Sequence, residues 1–168
     1  MIFKINQSLT ISVFIFYLFL FTGNKALSQS NFPNKYGLFI VNNLKLLLYE
    51  TDLDSNKMML DVKKAIPTIV LDLRYATKNN FMHHPLYPQI TTTYLRLPAI
   101  RALQKIATEL RKANLGIKIF DTYRPYSVTE KMWEEVKDSR YAADPAKGSG
   151  HNRGIAVDLT LIDLQSGK

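Results

Sequence analysis

The segment Gly148-Ser149-Gly150-His151-Asn152-Arg153-Gly154 leaves this chain few conformational options. Its closely spaced glycines suit a turn, not a helix or a strand interior. Behind it, Ile155 to Leu161 is apolar and β-branched, the pattern of a strand. Alternation along that strand is expected to send Ile155, Val157 and Leu159 towards a core, and Ala156, Asp158 and Thr160 to the opposite face. The turn then lets His151 fold back towards Asp158. One imidazole nitrogen and one carboxylate oxygen are reasonable Zn²⁺ ligands, but a catalytic zinc needs a third protein ligand and an open position for water.

Upstream, Ile69 to Tyr75 reads as a strand with Asp72 and Arg74 on one face. They are either a surface ion pair or supports for a nearby site. Lys78 to Thr93 is polar and irregular and holds His83 and His84, whose default is a solvated loop. Neighbours on an extended chain point to opposite sides, so at most one would reach a shared ion. Pro98 to Asn114 is the best helix, with Ile100, Leu103, Ile106, Ala107 and Leu110 as its apolar stripe and Gly116 placed to end it. Ile117 to Phe120 is a short strand. Ser127 and Glu130 form a capping box for a helix reaching about Lys137, with Trp133 as a packing anchor. The order is that of a small α+β domain.

At 168 residues the chain has a one-domain length. Residues 1–28 read as a secretory signal: Lys4, an apolar stretch from Leu9 to Phe21, then Ala26-Leu27-Ser28 before Gln29. The apolar run is short for a membrane span. On that reading the mature part is residues 29–168, in the periplasm or secreted, with no stable membrane insertion once the signal is cleaved; an uncleaved N-terminal anchor is the alternative. With no cysteine, packing must hold the exported domain together, helped by any metal it binds. The formal charge of +8 is scattered, with no basic cluster of the kind that tracks a phosphate backbone, so nucleic acid is not an expected partner.

Arg124 stands before Pro125 at the exit of the Ile117–Phe120 strand, in a loop beginning at Asp121. Its planar fork can hold a carboxylate or stabilise an oxyanion. Equally, it can form a structural salt bridge to Asp121 or Asp144. Asp121 can orient Arg124 or a ligand, or cap its own turn. Ser149 can hydrogen-bond a substrate or serve the glycine turn.

Three blocks, Asp121-Thr122-Tyr123-Arg124-Pro125, Tyr141-Ala142-Ala143-Asp144-Pro145 and Gly148 to Leu161, closely resemble the zinc D-alanyl-D-alanine dipeptidases of peptidase family M15. Asp72 to Thr77 and Asn79-Asn80-Phe81 match the family's early segment, and the resemblance runs from about Asp61 to Lys168. It implies a small domain with a central antiparallel sheet, shared with zinc D,D-carboxypeptidases and the hedgehog signalling domain. It implies one Zn²⁺ per complete site, with His151 and Asp158 as the first two ligands. It makes Arg124 the group that stabilises the carbonyl oxygen under attack, and Ser149 and Asp144 pocket residues on the substrate. The implied substrate is the cell-wall dipeptide D-Ala-D-Ala.

Two departures accompany the resemblance. The rim at Met82-His83 replaces glycine and a small or hydroxyl residue. The family's closing glutamate, two intervening residues and final histidine ligand have no counterpart before Lys168. The expectation is therefore an N-terminal portion of a dipeptidase domain, weakly active or inactive by itself. A D,D- or L,D-carboxypeptidase of the same fold is the alternative enzyme, and a non-catalytic cell-wall-binding protein the alternative from another class.

Overall fold

The computed structural model describes residues 33–168, and the expected signal segment lies outside them. Chain order begins with helix α1 (Leu44–Leu53), a 3-10 turn at Ser55–Lys57 and strand β1 (Met59–Asp61). Helix α2 (Val62–Ala65), strand β2 (Val70–Leu71) and a 3-10 turn at Arg74–Ala76 follow. Strand β3 (Tyr94–Arg96), helix α3 (Leu97–Lys112) and strand β4 (Leu115–Asp121) come next, then helix α4 (Tyr126–Val136) and strand β5 (Asp158–Asp163). None of the described helices is long and apolar enough to cross a membrane.

The fold is α+β, as expected, but its main sheet is mixed. β4 lies in the middle, parallel to β2 and antiparallel to β5. β1 and β3 form a separate antiparallel pair. The chain between β2 and β4 contains α3, a connection long enough for a parallel pairing. The expected strand from Ile69 shrinks to Val70–Leu71, because the backbone coils into the turn at Arg74–Ala76.

Helix α3 is the buttress. Ile100, Leu103 and Ala107 are buried against Ile117 and Ile119 of β4, with Val62, Ile66, Ile69 and Leu95 completing the cluster. Ile106 departs from the expected stripe and is 51% exposed. Gly116 does not end the helix. Asn114 takes the left-handed conformation at φ 59°, which asparagine tolerates, and Gly116 sits inside β4. A second cluster joins Val128 and Met132 of α4 to Leu86 and Ala142, with Trp133 packed beside it as expected. The capping box does not form: Pro125 occupies the N-cap of α4 without a side-chain bond, Ser127 lies inside the helix, and Glu130 pairs with Lys35.

β5 corrects the expected strand. It starts at Asp158 instead of Ile155, and its predicted inward face is only partly covered: Val157, just before the strand, packs on the α3 cluster as expected. Leu159 and Leu161 oppose Ile119 and Ile117 across the ladder, yet Leu159 is 40% exposed and Ile155 is also exposed. The packing contacts of α3 fall on β4, and β5 is an edge strand whose apolar side they leave open. Ile162, on the other face, is the buried residue of β5.

This packing separates residues that the sequence groups together. Leu95→Ala, at a fully buried position, should cost about 2–5 kcal/mol of stability. Ile106→Ala on the open side of α3 should change it by no more than about 0.5 kcal/mol. Urea unfolding of the two variants measures the contrast.

Candidate metal and arginine site

β4 and β5 meet the glycine turn at one end of the sheet. Ile119 opposes Leu159 and Asp121 opposes Asp158, so Phe120 is an extra residue without a partner. Such a bulge re-aims the side chains beyond it. Here it brings Asp121 to the same side as Asp158, and His151 joins them: one ligand atom from each lies within 4.8 Å of the others. The turn bends at Gly148 and Gly154, both at φ 67°, where a Cβ would be strained.

Asp121 is already engaged. Its Oδ2 accepts from Arg124 Nε at 2.9 Å and from the nearer terminal nitrogen at 2.6 Å. Its Oδ1 accepts from the Tyr87 hydroxyl at 2.7 Å. Both members of the ion pair are buried, at 3% and 5% side-chain exposure. Burial pushes the Asp121 carboxyl above its ordinary value, against the pull of Arg124 and Tyr87. Burial also works against charge on Arg124, and the adjacent carboxylate more than compensates. Tyr87 is driven well up, first by burial and then by the charge on Asp121. The guanidinium lies 4.9 Å from the ring centre of Tyr75, a cation–π contact that further restrains it. The salt bridge to Asp121 weighed from the sequence is therefore present, and it holds the arginine beside the metal candidates: Arg124 comes within 3.7 Å of Asp158 Oδ2.

His151 and Asp158 remain free to share an ion. The imidazole Nδ1 lies 2.7 Å from the Thr122 carbonyl oxygen. A carbonyl can only accept, so Nδ1 carries the proton and Nε2 is left with its lone pair. That nitrogen faces Asp158 Oδ1 at 3.5 Å. Two ligands each about 2.0–2.1 Å from a tetrahedral zinc would stand roughly 3.3–3.4 Å apart, so the pair fits the ion. Among the described residues only Asp121 joins them, and its oxygens already accept from Arg124 and Tyr87.

Ser149 is buried, and its hydroxyl accepts from the His151 backbone N–H at 3.1 Å, which places it under the turn. Asp144 is set apart from the cluster and caps its own turn, accepting from the Ala146 N–H at 2.9 Å. His84 lies within 2.9 Å of exposed Glu135, and neither His83 nor His84 joins the cluster. Tyr87, which the sequence offers as either a cleft-lining residue or cover for the core edge, and Thr122 both act through partners distant in sequence, 34 and 29 residues away.

The D-ala-D-ala dipeptidase model of peptidase family M15 matches residues 55–168. The chain belongs to that family. It is 33% identical over 105 residues to the D-alanyl-D-alanine dipeptidase of Escherichia coli strain K12, covering 62% of this chain and 54% of the relative. It is 26% identical over 126 residues to the D-alanyl-D-alanine dipeptidase of Streptomyces coelicolor, covering 64% of this chain and 62% of the relative. The chain thus spans a little over half the length of these curated relatives. Helix α1 precedes the matched span, whereas every member of the cluster lies inside it.

Zinc titration should give one site that His151→Ala or Asp158→Ala removes and Asp144→Ala leaves in place. The proton balance sets its pH dependence. Burial lowers the affinity of His151 for a proton, but the bond to Asp158 and the Thr122 carbonyl outweigh it, and the imidazole is raised above 6.5. Asp158 is lowered below 3.8, chiefly by His151. Zinc must displace the His151 proton, so affinity should climb by about tenfold per pH unit until pH passes the raised value. In metal-free protein the pair stabilises the fold most between 3.8 and 6.5. That contribution fades as pH rises through the value for folded His151 and as it falls through that for folded Asp158. Thermal unfolding across pH in a chelator measures this.

Proposed function

We propose that this chain supplies two metal ligands and the oxyanion arginine of a zinc-dependent D-Ala-D-Ala dipeptidase acting on cell-wall dipeptide outside the cytoplasm. The family match supports the peptidase reading, and the 3.5 Å approach of His151 Nε2 to Asp158 Oδ1 supports the metal. The leader-like residues 1–28 motivate the location.

When bound, zinc supplies Lewis acidity towards a carbonyl and acidifies water. His151 would hold it through Nε2, because Nδ1–H is given to the Thr122 carbonyl. Asp158 would hold it through Oδ1. Arg124 meets the negative charge that develops on the scissile carbonyl oxygen. Its guanidinium is already clamped by Asp121, so little reorganisation is needed as that charge appears. Burial of the clamp keeps competing water away from the guanidinium. Among the described residues no glutamate joins the cluster.

The test is D-alanine release from D-Ala-D-Ala, compared with a stem pentapeptide ending in the same residues. Zinc-dependent hydrolysis favouring the free dipeptide is expected. Arg124→Ala should lower kcat/KM about 100- to 1,000-fold while zinc stays bound. Hydrolysis that survives the joint change of His151 and Asp158 to alanine would overturn the proposal. Faster cleavage of the pentapeptide would indicate a carboxypeptidase, and peptidoglycan affinity without hydrolysis, retained in Arg124→Ala and after metal removal, would indicate a wall-binding protein.

A further inference from the structure

Asn152 sits between a proposed metal ligand and an arginine of the turn, yet its side chain serves neither neighbour. Its Nδ2 donates to the Arg124 carbonyl at 2.9 Å and to the Thr129 hydroxyl at 2.8 Å. Thr129 is fully buried in helix α4. Two further bonds run alongside. The Arg124 N–H donates to the His151 carbonyl at 3.1 Å, and His151 Nδ1 donates to the Thr122 carbonyl at 2.7 Å. The glycine turn and the arginine loop are thus stitched together at residues 151–152 and 122–124, and Asn152 alone extends the seam to a helix.

The amide carries a second sign of its role. With both N–H groups of Nδ2 committed, Asn152 Oδ1 is buried and has no hydrogen-bond partner among the described residues. Turning the amide over would let Oδ1 accept from the Thr129 hydroxyl, but it would also set that oxygen against the Arg124 carbonyl, which cannot donate, and forfeit the bond now made there. An orphan acceptor of this kind is uncommon in folded proteins and calls for an explanation. The two donated bonds provide one, because the arginine loop has no other tie of this kind to the metal turn and α4 together.

We propose that Asn152 is a positioning residue that sets the distance between Arg124 and the His151–Asp158 pair by tying the arginine loop to the glycine turn and to Thr129. The functional weight of this seam rests on the reading of that pair and of Arg124 given above. Seating of the seam is a separate matter and can be measured without metal.

Asn152→Asp keeps the shape and removes both donors, whereas Asn152→Ala removes the side chain. Thr129→Val cuts the seam from the helix side, and Thr129→Ser keeps the hydroxyl. Amide hydrogen exchange of the metal-free chain is one readout, and zinc affinity by competition with a chromophoric chelator is the other. Both Asn152 variants should speed exchange at Arg124 at least about tenfold while the β4 amides of Ile117 and Ile119 hold, and should weaken zinc about 10- to 100-fold, the usual cost of losing a group that orients a ligand. Thr129→Val should do the same in smaller measure, and Thr129→Ser should restore wild-type exchange. Unchanged exchange at Arg124, or loss of protection in β4 to the same degree, would overturn the proposal. Should either Asn152 variant fail to fold, the Thr129 pair decides by the same criterion. A wild-type chain that holds no zinc through His151 would defeat the functional reading, while the exchange data would still judge Asn152.

Discussion

The buried ion pair between Asp121 and Arg124 governs how the rest of the site can be used. Two charges withdrawn from water are costly unless their geometry and remaining hydrogen bonds are nearly complete. Here one carboxylate oxygen takes two guanidinium donors and the other takes a phenol. The result is an arginine with little freedom and a carboxylate whose oxygens are already engaged by three donors. Three acidic or imidazole groups converge, but the ion pair divides them: one serves the arginine, and the other two are left as candidate ligands.

Convergence itself depends on a defect in the sheet. In a regular antiparallel ladder Ile119 and Asp121 would face the same side. The unpartnered Phe120 breaks that rule and sets Asp121 opposite Asp158. The aromatic ring released by the bulge is stacked under Arg74, whose guanidinium carbon lies 3.8 Å from the ring centre. From the other direction, the glycine turn returns the chain, and its imidazole is oriented by a backbone carbonyl one residue past the bulge. The Thr122 side chain is itself buried and shares a hydrogen bond of 2.5 Å with Thr93, so the carbonyl that sets the tautomer belongs to a packed segment.

Much of this was legible in residue order because local chemistry dictates it. A glycine-bounded turn followed by a β-branched run fixes the approach of His151 to Asp158. The i, i+3 spacing of Asp121 and Arg124 permits their clamp without long-range help. The apolar period of α3 is strong enough that only Ile106 was misplaced. Other features depended on what lay across the fold. Leu159 has the pattern of an inward residue, but whether it is covered depends on the width of the layer packed over it. Ser127 and Glu130 have the spacing of a cap, but Pro125 claims that position and Glu130 turns to Lys35.

The sequence by itself determined the α+β class and the family, and marked His151, Asp158 and Arg124 as site candidates, because each rests on contiguous motifs whose spacing is read along the backbone. Only the tertiary structure decided which carboxylate is free for a metal, which imidazole nitrogen faces it, and how the arginine is held. Those outcomes turn on hydrogen bonds between Tyr87 and Asp121, between His151 and Thr122, and between Asn152 and both Arg124 and Thr129. Their partners are separated by 23 to 34 residues, and a hydrogen bond formed across such a gap leaves no periodicity in the chain that makes it.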